Sequence, residues 1–269
     1  MDSSTVYAFI GAGKMATAIA LGLVKSGIAP DSIRAYDVSS EASKSFGAST
    51  GAEVALSMEE ALSPADIVIL AVKPQFAEAA LAEAKLSLKG KLLISIAAGL
   101  PLDWLRRHAG IDRIVRVMPN TPALVGAGMS CYAGAPGSTE EDMERAAAVL
   151  RSVGRAVPVP ESCLDAVTGL SGSGPAFVME FIMGLADGGV CCGLPRTLAL
   201  ESAVQTVLGT AKMCQESGRP IAELRDAVIS PAGTTACGIL AMQKAGFKGI
   251  AASAVIEAAR RSAELGKKE

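Results

Sequence analysis

The segment Gly11-Ala12-Gly13-Lys14-Met15-Ala16 follows directly on the apolar run 6–10 and leads into an apolar helical pattern over 15–25. This G-x-G-x-x-A spacing suits a dinucleotide. Gly11 permits a tight turn, Gly13 lets backbone approach a pyrophosphate, and Ala16 is small enough for a helix to lie close to a strand. The start of the helix then offers unpaired N–H groups to phosphate oxygens. Asp37 closes the next apolar run, where a carboxylate can bond both ribose hydroxyls and would repel a 2′-phosphate. Ser39, Ser40 and Lys44 follow closely and could take such a phosphate if Asp37 turned away, so NADH and NADPH both stay open. Ala71-Val72-Lys73-Pro74 and Ala97-Ala98-Gly99 end later apolar runs and are further candidates for the lining, although Lys73 could equally be a solvated surface lysine.

The usual proton carriers of a hydride-transfer enzyme are scarce. His108 is the only histidine, and beside two arginines in LDWLRRHAG it reads as solvated. Tyr7, Tyr36 and Tyr132 lie in or beside strand-like runs, and no Tyr-x-x-x-Lys pattern occurs. No cluster of His, Asp and Glu suggests a metal. A reduction that needs little proton help is indicated, and a C=N bond fits, because an iminium carries its proton before the hydride arrives.

The elements that must hold these residues fall into two halves. Apolar runs at 6–10, 33–36, 67–72, 92–96, 114–117 and 129–132 alternate with helical patterns such as 15–25 and 140–151. That order predicts a parallel sheet with helices on both faces. Beyond Pro160 the strand signal stops, and helices are expected at about 162–168, 175–192, 195–216, 221–229, 234–245 and 248–265. Ala203, Val204, Val207, Leu208 and Ala211 cover most of one helical wheel, so a second copy of the chain is expected to cover this half, with the site shared between subunits. Half of the 269 residues are hydrophobic and the formal charge is −2, which leaves no electrostatic footprint for nucleic acid or an anionic membrane. The six cysteines lack metal or redox spacing and read as small buried hydrophobes in a reducing compartment. Nothing reads as a signal segment or a bilayer span, so a soluble, cytoplasmic protein is expected.

Longer motifs carry a resemblance over essentially the whole chain. They are FIGAGKMATAIALGL at 9–23, AVKPQ at 71–75, SIAAGL at 95–100, RVMPNTPALVGAGM at 116–129, DAVTGLSGSGPAF at 165–177, LADGGVCCGLPR at 185–196, QTVLGTAKM at 205–213 and SPAGTTACG at 230–238. On these the chain resembles the pyrroline-5-carboxylate reductases, which reduce 1-pyrroline-5-carboxylate to L-proline with NADPH or NADH. The resemblance implies an α/β fold with an N-terminal Rossmann domain over 1–160 and a C-terminal all-helical dimerisation and substrate-binding domain over 161–269. It also implies a homodimer that often assembles further into decamers. Carried over by residue, Gly11 to Ala16 correspond to the pyrophosphate loop, Val72, Lys73 and Pro74 to the cofactor cleft, and Ala97, Ala98 and Asn120 to the nicotinamide side. Ser230 to Thr235 resemble the substrate loop. Its helix-opening N–H groups around Gly233 and Thr234 would hold the carboxylate, and Thr235, the catalytic residue, would bond the ring nitrogen. A helix start with a threonine cap is the plain alternative for the same stretch. Glu161 is a further substrate-side candidate. The chain departs from the family's usual pattern at Ala232-Gly233, where two glycines are common, at Arg219-Pro220, where His-Pro is common, and at Asp37, where NADPH-preferring members offer a smaller polar or basic residue. A β-hydroxyacid dehydrogenase, with Lys212 as its lysine, and a non-enzymatic NAD(P)H sensor are the alternative functions.

Overall fold

The computed structural model describes residues 4–266. The apolar runs become strands β1 (Tyr7–Ile10), β2 (Ile33–Tyr36), β4 (Ile67–Leu70), β5 (Leu92–Ser95), β6 (Ile114–Met118) and β7 (Gly128–Gly134). Short strands β3 (Glu53–Val54) and β8 (Gly154–Pro158) complete an eight-stranded sheet of order β3-β2-β1-β4-β5-β6-β7-β8. Helices α1 (Lys14–Lys25), α2 (Ser40–Thr50), α3 (Met58–Leu62), α4 (Pro74–Ala84), α5 (Leu102–Ala109) and α6 (Glu140–Arg151) cover it. Along β4 the residues are all buried, because alternate side chains enter opposite cores. Ile67 and Ile69 pack with Ile19, Leu23, Phe46 and Leu150, while Val68 and Leu70 pack with Leu62, Leu81 and Leu105. The α/β class and the helical C-terminal region are as expected.

The sheet is not wholly parallel. β7 runs antiparallel to β6, pairing Met118 with Cys131 and Val117 with Tyr132. Between them lies only a turn of 3-10 helix, Thr121–Val125, too short a connection for the crossover that a parallel pair needs. β8 then pairs parallel with β7, with α6 as its crossover.

The chain divides into two compact units, one of residues 4–172 with 258–266 and one of 173–257 among the described residues. Residues 161–172 group with the sheet because Leu164, in the short helix α7 (Leu164–Val167), is buried in the second core and Val167 packs against it. A π-helical turn, Thr168–Gly172, follows. The Ser262 hydroxyl donates to Asp165 at 2.7 Å, tying the end of the chain to the same unit.

The second unit holds α8 (Gly174–Cys191), α9 (Arg196–Glu216), α10 (Ile221–Ala227), α11 (Thr234–Lys244) and the first part of α12 (Phe247–Gly266). Its internal core is small: Ala186, Ala199 and Ala203, with Ile182 against them, join α8 to α9. Met179, Met183, Leu198, Val204 and Leu208 are exposed.

Two expectations fail here. Of the cysteines, Cys131 alone is buried, Cys214 is half-buried and the other four are exposed. Cys191, Cys214 and Cys237 sit on helices of the second unit and Cys192 caps one of them, and this chain does not cover the apolar sides of those helices by itself. The expectation that nothing is long and apolar enough for a bilayer also fails. Glu161–Cys191 is one helical run of 31 residues that meets both criteria by length and composition, whereas its glycines and serines over 169–174 made the sequence read as two shorter helices.

Candidate active site

The Gly11 N–H donates to the Tyr36 carbonyl at 2.8 Å, bending the chain out of β1. Its φ of +99° is open to glycine, and a Cβ there would lie 2.9 Å from the Ala71 carbonyl oxygen. Gly13 is the N-cap of α1, and a Cβ there would meet no protein atom. No side chain caps α1 and no acidic residue stands in its first turn, so its N–H groups and positive dipole end suit an anion. By contrast, the starts of α2, α3 and α6 are capped by Ser39, Ser57 and Thr139. Ala16 is buried, and Met15 packs on the first core beside it. The residues at this turn fit a dinucleotide pyrophosphate.

Two hollows of about 480 Å³ flank the turn. One is lined by Ala12, Gly13, Lys14, Thr17, Ser39 and Leu124 among others. The other gathers Gly11, Gly13, Asp37, Ala71, Val72 and Lys73, together with Val38 and Phe76. Val38 and Phe76 were missed in the sequence. Phe76 is the third residue of α4, directly behind AVKPQ, where the helix begins near the carboxyl end of β4. Lys73, the N-cap residue of α4, is exposed and lines the hollow, and Pro74 takes the first helical position, where its missing N–H is harmless. A further hollow of about 650 Å³ lies among Asp103, Arg106, Arg107 and Asp112, but its charges answer one another, as in the 2.6 Å Arg106–Asp112 pair.

Asp37 is held on both sides. Its Oδ2 accepts from the Ala12 N–H at 2.8 Å and its Oδ1 from the Ser39 N–H at 2.8 Å. Ala97 is buried and Ala98 exposed in the loop after β5, and neither lines the two hollows. Asn120 works within the protein: its Oδ1 accepts from the Met129 N–H at 2.8 Å, and its Nδ2 donates to the Ser171 carbonyl at 3.1 Å. Glu161 is likewise engaged, its Oε1 accepting from the Leu102 N–H at 2.7 Å and from Arg116 at 2.8 Å. His108 is half-buried rather than solvated. Its ring stacks on Trp104 at 3.9 Å, and its Nδ1 lies 2.8 Å from the Trp104 carbonyl oxygen.

In the second unit, Ser230 to Gly233 form a turn closed by the Gly233 N–H donating to the Ser230 carbonyl at 3.0 Å. Gly233 is the N-cap of α11, with Thr234 and Thr235 opening the helix. As at α1, no side chain caps this end and no acid stands in its first turn. The threonine-cap alternative is therefore not what the loop does. Lys212 is exposed on α9. No group of His, Cys, Asp and Glu suited to a metal occurs among the described residues.

Residues 161–265 match the family model for pyrroline-5-carboxylate reductase dimerisation, and residues 6–99 match one described as NADP oxidoreductase, coenzyme F420-dependent. The pyrroline-5-carboxylate reductase of Arabidopsis thaliana is 46% identical over 259 residues, which covers 96% of this chain and 94% of that one. That of Methanosarcina acetivorans is 47% identical over 264 residues, 97% of each chain. The chain belongs to the pyrroline-5-carboxylate reductase family. Among solved structures, Plasmodium falciparum pyrroline carboxylate reductase with NADP bound is similar at a TM-score of 0.89 and 34% identity, covering 99% of this chain and 100% of that one. As a member of the family, the chain is an NAD(P)H-dependent oxidoreductase with a C-terminal dimerisation domain.

Proposed function

We propose that the chain reduces the C=N bond of 1-pyrroline-5-carboxylate to give L-proline, the last step of proline synthesis. The observation that carries this reading is the start of α11, an uncapped helix end behind a tight turn with a hydroxyl on its first turn. The bound dinucleotide supplies the hydride. The chain supplies position. The Gly11 to Ala16 turn and the start of α1 hold the pyrophosphate, Asp37 takes ribose hydroxyls, and Ala71 to Pro74 wall the cleft. Ala97, Ala98 and Asn120 serve the nicotinamide side, Asn120 by fixing the loop around it. Ser230 and Thr234 hold the substrate carboxylate, the Gly233 N–H fixes the turn by donating to the Ser230 carbonyl, and the Thr235 hydroxyl orients the ring nitrogen. Glu161, tied to Leu102 and Arg116, serves by holding the start of α5. Orientation of this kind can contribute roughly 7–11 kcal/mol to a barrier. The working assembly in this reading is a dimer that builds decamers in the cytoplasm.

The test is a purified-protein assay of NADH and NADPH oxidation in the presence of pyrroline-5-carboxylate. We expect substrate-dependent oxidation that Thr235→Ala lowers by about 10- to 100-fold, the scale of one transition-state hydrogen bond to a charged group, with Thr235→Ser restoring most of it. Full activity in Thr235→Ala would remove Thr235 from the chemistry. No oxidation with this substrate would remove the reading itself.

A further inference from the structure

The geometry points to a preference of this chain for NADH over NADPH, set by Asp37 clamped between two backbone amides. The inference rests on the dinucleotide site of the proposed function, and not on the identity of the imine.

Whether the Asp37 carboxylate can turn away decides the matter. It cannot do so cheaply. The Ala12 N–H on the glycine turn and the Ser39 N–H ahead of α2 each donate to a different carboxylate oxygen at 2.8 Å. Rotation would break two charge-assisted hydrogen bonds at once. A carboxylate offers about four acceptor sites, so two amides leave it able to take ribose hydroxyls while its charge stays in place. It faces the hollow that also contains Gly11, Gly13 and Val72.

Among the described residues, the positive charge lining the two hollows is confined to lysines that share them with acids. Among the described residues that line the two hollows there is no arginine. Lys73 shares one hollow with Asp37 and Glu83, and Lys14 shares the other with Glu41. Arg34, on the strand β2 that ends just before Asp37, is paired with Glu53 at 2.9 Å. Lys44 lines neither hollow, and the Ser39 hydroxyl caps α2 by accepting from the Ala42 N–H. The residue after Asp37 is Val38, 90% exposed and on the lining, where a guanidinium could grip a 2′-phosphate but an isopropyl group cannot.

Binding of NADH and NADPH to the purified dimer, followed by nucleotide fluorescence, tests this without turnover. Thermal-shift titrations with 5′-AMP and 2′,5′-ADP read the same pocket with fragments. We expect NADH to bind about tenfold tighter than NADPH or more at low salt, with the ratio shrinking as salt screens the repulsion. Val38→Arg leaves the amide clamp intact and should strengthen NADPH binding by about tenfold, with NADH little changed. Asp37→Asn removes the repelling charge and should weaken NADH while bringing the two cofactors to within about twofold of each other; an unchanged preference would acquit Asp37. NADPH binding as tightly as NADH in the unaltered protein would overturn the preference while leaving the reductase reading intact. Binding of neither would overturn the preference and the dinucleotide site together.

Discussion

Ala232 is the described non-glycine residue with a positive φ, at +58°. It is the third residue of the turn that Gly233 closes onto Ser230, with Pro231 at the second position. A turn with proline second and a left-handed third residue favours glycine there, since a Cβ in that region costs about 1–2 kcal/mol. The alanine is therefore strained, in the loop assigned to the substrate. Glycine would relieve the strain but leave a more flexible unfolded chain, so Ala232→Gly should stabilise the protein by about 0.5–1 kcal/mol net. Urea midpoints at one fixed protein concentration check this. A lower midpoint in the variant would show that neighbouring contacts already favour the alanine. The residue type at 232 was visible in the sequence as a departure from the family's pattern, but its strain was not, because strain depends on a dihedral angle.

At the scale of elements, α6 and the loop that enters β6 are joined by one buried carboxylate. Asp142 completes a capping box with Thr139 and accepts from Arg113 at 2.6 Å, while Arg113 also donates to the Gly90 carbonyl at 2.8 Å. Burial alone would raise the Asp142 pKa, but hydrogen bonds from Arg113 and from the Thr139 amide outweigh it and hold the carboxyl below its ordinary value. Because the folded pKa is depressed, the stabilisation is fully present above the unfolded value of about 3.9 and is lost as pH falls through that value to the folded one. Asp142→Ala should cost about 2–3 kcal/mol at pH 7, less than the roughly 3–5 of an enclosed pair, because Arg113 is 38% exposed. Its stability should also fall less steeply than the parent's below about pH 4. Denaturation midpoints at pH 7 and pH 3 give both numbers, and equal acid sensitivity in the two proteins would acquit Asp142. The strands missed in the sequence, β3 and β8, lie at the two edges of the sheet. Edge strands lack cover on every side, and GRAVP over 154–158 mixes partly buried with exposed residues instead of forming a buried apolar run.

For the whole molecule, the helical unit decides whether a lone chain can exist. Three buried alanines are a small core for α8 and α9, whereas Val204 and Leu208 on α9 are 45% and 54% exposed. Each buried leucine contributes about 1.5–3 kcal/mol, so leaving such side chains in water forfeits much of what would hold these helices together. The C-terminal family model describes a dimerisation domain, and we expect a second copy to cover these side chains. Sedimentation at micromolar concentration should show no folded monomer. Leu208→Glu, which places a charge on that face, should weaken association by more than about tenfold. A stable, active monomer in either protein would contradict this account.

The sequence by itself determined the alternation of strands and helices, the glycine turn, the helical C-terminal region and the family. Those depend on local periodicity and on residue types at fixed spacing. Only the tertiary structure decided what the candidate residues do with their polar atoms. It showed that Asp37 is clamped by amides 25 and 2 positions away and that Glu161 is engaged by Leu102 and Arg116, 59 and 45 positions away. It also showed that His108 stacks on Trp104 and that β7 reverses direction. A side chain's type is local, but most of its partners are brought to it by the fold.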